Sequence, residues 1–271
     1  MTTLLHISDT HFGTEQAPVC EALRALSRDQ KPDVLIFSGD LTQRARSAEF
    51  AAARAYVDSL GIAQVLVLPG NHDIPLYNVF ARMFHPYQGY AREFGTELSP
   101  VIDTPAVLVV GINTTRASRH KNGVVSGEQI EAVCATLGRA RPGQLRVVVT
   151  HQPAAVFRDK DEHDRLRGAD PALQAWSAAG ADLVLGGHIH LPYIVDLLSG
   201  SKPVPRAMWC VQAGTALSSR VRHGTANSVN LIRWDGGWGG ERSCTVERCD
   251  FDVLTGRFIP ASTRELVLGV V

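Results

Sequence analysis

Six short apolar runs, Leu4–Ile7, Val34–Phe37, Val65–Leu68, Val107–Ile112, Val147–Val149 and Leu183–Leu185, recur with helix-like segments between them. Parallel strands need a crossover of about a dozen residues, usually a helix, so this alternation predicts βαβ units and a mostly parallel sheet. The intervening segments carry helix signals: Ser47 as an N-cap, Ser126 with Gln129 as a capping box, and Asp170 followed by Pro171 at the first helical position. Ile130, Val133, Cys134 and Leu137 make one apolar face before Gly138 ends it. From about Lys202 the character changes. Glycines 236, 237, 239 and 240 separate Thr/Val/Arg-rich runs that read as antiparallel strands finishing a second sheet. No linker divides the chain, so residues 1–271 read as one domain, with 1–200 carrying the chemistry and 201–271 a strand-rich tail.

The informative residues follow the runs, because in open α/β sheets the ligand site lies beyond the carboxyl ends of the strands. The first run leads into Asp9-Thr10-His11, the second into Gly39-Asp40, and the third into Gly70-Asn71-His72-Asp73. The fifth leads into His151-Gln152-Pro153 and the sixth into Gly186-Gly187-His188-Ile189-His190, whereas the fourth ends in Asn113-Thr114-Thr115-Arg116 without an obvious ligand. Any one of these alone reads as a polar strand end satisfying a turn. Five in order do not, and five of the ten histidines fall within them. A two-residue spacing sends both side chains of Asp9 and His11 off one side of an extended segment. The donors are oxygen and nitrogen, which suits manganese, iron or zinc and differs from a structural thiolate zinc site. Gly39, Gly70, Gly186 and Gly187 stand directly before ligands, where the backbone must turn sharply or approach closely.

This set resembles the calcineurin-like metallophosphoesterase superfamily, over motifs that span residues 9–190, about two thirds of the chain. The strings Leu5-His6-Ile7-Ser8-Asp9-Thr10-His11-Phe12 and Leu68-Pro69-Gly70-Asn71-His72-Asp73 are most similar to its bacterial branch, the class III cyclic nucleotide phosphodiesterases. The resemblance implies an α/β fold, a four-layer αββα sandwich of two mixed sheets flanked by helices. It also implies two divalent or mixed-valence transition-metal ions (Mn, Fe or Zn). Asp9, His11, Asp40 and His190 would hold one, and Asp40, Asn71, His151 and His188 the other, with Asp40 bridging. Many relatives carry two histidines before the proline, where this chain has His151-Gln152-Pro153.

Two such ions and two aspartates leave a site of net positive charge that attracts phosphate and lowers the pKa of a bridging water, so phosphate-ester hydrolysis follows. His72, diverging from its neighbour Asn71, is free to meet the substrate; in relatives the matching histidine contacts the phosphate or assists the leaving oxygen. Asp73 is expected either to orient the His72 ring or to act as an N-cap. Tyr77, Phe80, Phe84 and Tyr87 repeat at helical spacing, continued by Tyr90 and Phe94, and either stack a nucleobase or pack a helix on the sheet. Arg116, the charged stretch 159–167 and His223 are candidate rim residues.

The expected partner is a small phosphodiester. Lys and Arg total 27 against 27 Asp and Glu, which gives no strong nucleic-acid signal and weakens a nuclease reading. A phosphomonoesterase, a nucleotide-lipid pyrophosphohydrolase and a non-catalytic scaffold are the rivals, and a scaffold would be expected to have lost ligands. No apolar run approaches the ~18 residues of a membrane span, and the N-terminus lacks a basic, apolar leader, so cytoplasmic residence is expected. Cys20, Cys134, Cys210, Cys244 and Cys249 form an odd, scattered set that fits reduced thiols. The tail can close a sheet, complete a rim or pair two copies, leaving a homo-oligomer open.

Overall fold

All six apolar runs become strands, and the reason is visible in their burial: both faces of each are covered. The computed structural model describes residues 1–200, 202–236 and 242–269. In chain order the elements are β1 (Thr2–Ile7), α1 (Ala17–Gln30), β2 (Val34–Phe37), α2 (Ser47–Ser59), β3 (Gln64–Val67), α3 (Val79–Phe84) and α4 (Gln88–Phe94). There follow β4 (Val101–Asp103), β5 (Val107–Gly111), α5 (Gly127–Leu137), β6 (Leu145–Val149), α6 (Ala169–Ala178) and β7 (Leu183–Gly186). The last are β8 (Tyr193–Asp196), β9 (Trp209–Gln212), β10 (Ser228–Trp234), β11 (Ser243–Asp252) and β12 (Arg257–Val267).

Two six-stranded sheets form, in the orders β12-β11-β10-β1-β2-β3 and β4-β5-β6-β7-β9-β8. Each has a parallel heart, β1-β2-β3 in one and β5-β6-β7-β9 in the other, with antiparallel strands beside it. Alternation along the strands assigns the layers. Leu4, Val34 and Ile36 meet Val109, Val147 and Leu185 between the sheets. The intervening Leu5, Leu35 and Phe37 pack under α1 and α2 with Leu23 and Phe50. On the other side Leu108, Val148 and Val184 pack under α5 and α6 with Val133 and Trp176. The result is the expected four-layer αββα sandwich of mixed sheets. A strand buried on both faces must be apolar throughout, which is why the sequence shows runs and not alternation.

Several local expectations shift. The tail divides: β9 joins the sheet of β7, whereas β10, β11 and β12 extend the sheet of β1. Gly237, Gly239 and Gly240 lie outside the described residues. Ser126 and Gln129 form the capping box at α5. Ser47 is instead the first residue of α2, and the Glu49 carboxylate accepts from the backbone N–H groups of Arg44 and Arg46. At α6 the helix begins two residues before Pro171, after Gly168 at φ +85°. All five cysteines are free; Cys244 faces the core between the sheets and Cys249 the α1 side.

The aromatic repeat at 77–94 splits into two helices, because Pro86 disfavours a helical conformation at His85 before it. Tyr90 is buried and donates its hydroxyl to the Val67 carbonyl at 2.8 Å, with Phe94 beside it. Tyr77, Phe80 and Phe84 are exposed, by 77%, 68% and 58%, so core packing holds for the second half alone. Among the described residues no helix is long and apolar enough to cross a membrane.

Candidate metal centre

The parallel strands β1, β2 and β3 of one sheet and β6 and β7 of the other bring their carboxyl ends to one edge of the sandwich. Five turns meet there. The Asp9 N–H donates to the Gly39 carbonyl at 3.0 Å, the His11 N–H to the Asp40 carbonyl at 3.0 Å, and the Gly187 N–H to the His151 carbonyl at 2.9 Å. Gly39 adopts φ +107°, and a Cβ there would lie 2.5 Å from His151 Nδ1. At Gly187 a side chain would collide with Ser8 Oγ and the Asp9 carboxylate. Both positions require glycine for space, and Gly39 for conformation as well.

Asp9, His11, Asp40 and His190 form one group of candidate ligands, and Asp40, His151 and His188 a second, with the ligand atoms of each within 4.8 Å of one another. Asp40 belongs to both. His190 Nε2 lies 3.3 Å from Asp9 Oδ1, and His11 Nε2 lies 3.8 Å from both Asp9 Oδ1 and Asp40 Oδ2. His151 Nε2 lies 3.3 Å from Asp40 Oδ1 and 3.2 Å from Asn71 Oδ1, which adds Asn71 to the second group. Further hydrogen bonds orient the rings, as metal-binding imidazoles require. His151 Nδ1 meets the Ser38 carbonyl at 2.8 Å, and His190 Nδ1 meets the Arg220 carbonyl.

The residues fit dinuclear metal binding on this structure's own terms. Among the described residues, five of the seven non-glycine residues with positive φ are Asp9, His11, Asp40, His188 and His190. Such conformations cost about 1–3 kcal/mol each and persist where the surroundings enforce them. Asp9 Oδ1 and His188 Nδ1 are buried without a hydrogen-bond partner, which leaves polar atoms calling for a ligand. Burial and the neighbouring histidines act oppositely on Asp9 and Asp40. Desolvation favours the neutral acids, but the histidines around them win and hold both carboxyls below their ordinary range. Burial pushes His11 and His188 down to about 3, keeping them neutral, the form that binds metal. Burial also opposes charge on His151, yet contact with Asp40 outweighs it and raises the imidazole to about 9.

His72 sits beside the cluster, its ring edge-on to His11 with centroids 4.8 Å apart. Its Nδ1 meets the Gln43 carbonyl at 3.0 Å, and its backbone N–H donates to Asp40 Oδ1 at 2.8 Å. Asp73 does not orient that ring. Its buried carboxylate accepts from the N–H groups of Gly70, Leu41 and Thr42 and from the Thr42 hydroxyl, clamping the turn instead. Burial and the nearby Asp40 charge push the Asp73 carboxyl up to about 6, against these hydrogen bonds.

A cavity of about 360 Å³ opens over the cluster, and its wall includes Lys121, Asp161, Asp164, Arg220 and Arg222. A smaller one of about 90 Å³ adjoins it across Asn71 and His72, lined by Leu76, Tyr77, Arg44 and His120. Tyr77 therefore reaches the site, whereas Phe80 packs against Phe84 and lines neither cavity. Arg116 is committed elsewhere, donating to the carbonyls of Asn113 and Thr115 and to Gln129 Oε1 at the start of α5. His223 does not line the cavity, although Arg220 and Arg222 beside it do. Gln152 is a strut: its Oε1 accepts from Thr114 Oγ1 at 2.6 Å and its Nε2 donates to the Lys121 carbonyl at 3.1 Å. Lys121, Arg220 and Arg222 were not legible as site residues, because they lie in loops that no local motif marks.

The calcineurin-like phosphoesterase family model matches residues 2–192. A probable cyclic nucleotide phosphodiesterase from Rhodococcus erythropolis is 25% identical over 203 residues, covering 69% of this chain and 64% of that protein. A glycerophosphodiester phosphodiesterase from Enterobacter lignolyticus is 34% identical over 163 residues, covering 55% of this chain and 56% of that protein. These matches thus span less than two thirds of either relative's length. A solved dimetal phosphatase from Danio rerio shares the fold at a TM-score of 0.68 and 10% identity, over 99% of both chains. With the family model spanning most of its length and the ligand residues of five separate turns gathered around Asp40, this chain belongs to the calcineurin-like phosphoesterases.

Proposed function

We propose that this protein is a metal-dependent phosphodiesterase acting on small diesters, with 3',5'-cyclic nucleotides as the substrate class. The observation that carries the reading is the pair of ligand groups sharing Asp40, set beside His72 at the floor of an open polar cavity. Two ions there, for which manganese, iron and zinc are suited by the donor set, would supply Lewis acidity to phosphoryl oxygens and a nucleophile at neutral pH.

The chain's own residues supply binding and orientation. Asp40 and Asn71 place the two halves of the site against one another. His72 turns Nδ1 toward the Gln43 carbonyl and Nε2 toward the cavity, 3.3 Å from Arg220 Nη1, so Nε2 meets the phosphate or the leaving oxygen together with that cation. The smaller cavity shares only Asn71 and His72 with the larger one over the ligand cluster, which puts it on the leaving-group side. Tyr77 and Leu76 there suit a flat or apolar alcohol, and the Arg44 guanidinium lies 5.9 Å from the Tyr77 ring centroid. The naming of the relatives as cyclic nucleotide and glycerophosphodiester phosphodiesterases supports a diester.

The test is the ratio of kcat/KM for bis-p-nitrophenyl phosphate to that for p-nitrophenyl phosphate, using metal-stripped protein reconstituted with Mn²⁺. A ratio well above one supports a diesterase, and cyclic AMP against glycerophosphocholine then separates the substrate classes. A ratio below one makes the protein a phosphomonoesterase.

A further inference from the structure

Three basic side chains line the cavity over the ligand cluster, and they differ in what they face. Arg222 is already neutralised, with Nη2 2.6 Å from Asp161 Oδ1. Lys121 contributes a flexible ammonium at the rim. Arg220 makes no ion pair among the described residues. Its side-chain contacts all run through Nη1: it donates to Gln43 Oε1 at 2.9 Å and lies against two ring nitrogens, His72 Nε2 at 3.3 Å and His11 Nδ1 at 3.5 Å. A guanidinium stays charged at any physiological pH, so a cation without a counter-ion faces this cavity directly beside the candidate ligands.

The position of Arg220 is built. It sits in the loop between β9 and β10, where Ala216, Leu217 and Ser218 are fully buried. The Ala216 N–H donates to the Ser8 carbonyl at 3.0 Å and the Ser219 N–H to the Thr14 carbonyl at 3.0 Å, tying the loop to the turn that carries Asp9 and His11. The Arg220 carbonyl accepts from Thr215 Oγ1 at 3.1 Å and from His190 Nδ1, and its N–H donates to Ser218 Oγ at 3.3 Å. One residue therefore fixes a ligand imidazole through its backbone and extends a fixed positive charge toward His72 through its side chain.

We propose that Arg220 is the phosphate-binding arginine of this site, taking a non-bridging phosphoryl oxygen with its guanidinium while Gln43 and His72 hold the fork in place. The inference rests on the phosphate-ester reading but does not require turnover. Planar forks bind phosphate oxygens in pairs, and charge held in place before the reaction stabilises the additional charge of the displacement.

The experiment is calorimetric titration of inorganic phosphate into Mn²⁺-loaded protein, wild type against Arg220→Gln and Arg220→Lys, with metal content measured on the same samples. Arg220→Gln is expected to keep both metals, since the backbone carbonyl that holds His190 is unchanged. It should bind phosphate at least about tenfold more weakly and lose about 100-fold in kcat/KM for bis-p-nitrophenyl phosphate. Arg220→Lys should recover part of the phosphate affinity and little of kcat, because a point charge lacks the fork. Phosphate affinity within about twofold of wild type in Arg220→Gln overturns the proposal, as does a metal loss large enough to explain the weakening. Wild-type protein that binds phosphate through Arg220 yet cleaves no ester would leave the inference standing and remove the hydrolase reading. Ester cleavage with Arg220-independent phosphate binding would do the reverse.

Discussion

The two ends of β7 each bury charge, and they do so to opposite effect. At its start Asp182 is fully buried, and both carboxylate oxygens are satisfied. Oδ1 accepts from Arg206 at 2.6 Å and Arg242 at 2.9 Å, and Oδ2 from the Arg146 N–H at 2.9 Å and Arg242 at 3.0 Å. At its far end Gly187-His188-Ile189-His190 meets Asp9 and Asp40, where backbone conformations are unfavourable and Asp9 Oδ1 has only ring nitrogens near it, His190 Nε2 at 3.3 Å and His11 Nε2 at 3.8 Å. The first arrangement satisfies its carboxylate within the protein and pins the C-terminal segment, with Arg206 and Arg242 also donating to the Gly269 carbonyl. The second leaves ligand atoms unsatisfied, as a metal site does. A buried carboxylate satisfied within the fold is structure; unsatisfied ligand atoms clustered beneath a cavity mark function.

This contrast can be broken at either end. Asp40→Asn should cost the most, on the order of 1000-fold in kcat/KM with metal content falling below two per chain, while unfolding of the metal-free protein changes little. Elemental analysis beside kinetics checks it, and a variant with full metal would remove Asp40 from its shared position. Asp182→Ala should act in reverse, losing about 3–5 kcal/mol in urea denaturation because two half-buried guanidiniums lose the carboxylate that balances their charge, while the folded fraction keeps its specific activity. Should activity fall further than the folded fraction, the two ends are coupled.

Smaller effects sharpen the picture within the site. His72→Ala should retain both metals and slow hydrolysis by about 100-fold for poor leaving groups, with less effect on nitrophenolate. Equal kinetics across leaving groups would reduce His72 to a phosphate contact. The smallest effect is a proton. His151, raised to about 9 by Asp40 in the metal-free chain, must be neutral to serve as a ligand. Metal affinity should therefore weaken as pH falls below that value, and uptake at pH 7 should expel about one proton from this group. Calorimetry in two buffers of different ionisation enthalpy reads it directly. The same shift favours the metal-free fold below the ordinary histidine value of 6.5, and that stabilisation fades as pH rises through about 9.

Where sequence reading succeeded, the information was local. Asp9-Thr10-His11 and His188-Ile189-His190 each lie within a single strand-end turn, so spacing shows them together. Where it failed, the residues looked right but their partners were distant. Arg116 was a fair rim candidate until the Gln129 side chain and two carbonyls claimed its guanidinium. Tyr77 and Tyr90 belong to one helical repeat, yet Pro86 divides it, and one ends exposed beside the site while the other is buried under Val67. Periodicity defines a face and says nothing about what covers it.

The sequence by itself determined the buried strands, because strands covered on both faces must be apolar throughout, and it marked the candidate ligands, because each lies in a short turn directly behind one of those runs. The tertiary structure alone decided that Arg220 stands at His72, 148 residues away in the chain, and that the tail splits between two sheets. It also decided which buried carboxylates are satisfied and which are left waiting. Those outcomes depend on loops meeting across the sandwich, where the contact is made by folding and no spacing in the chain records it.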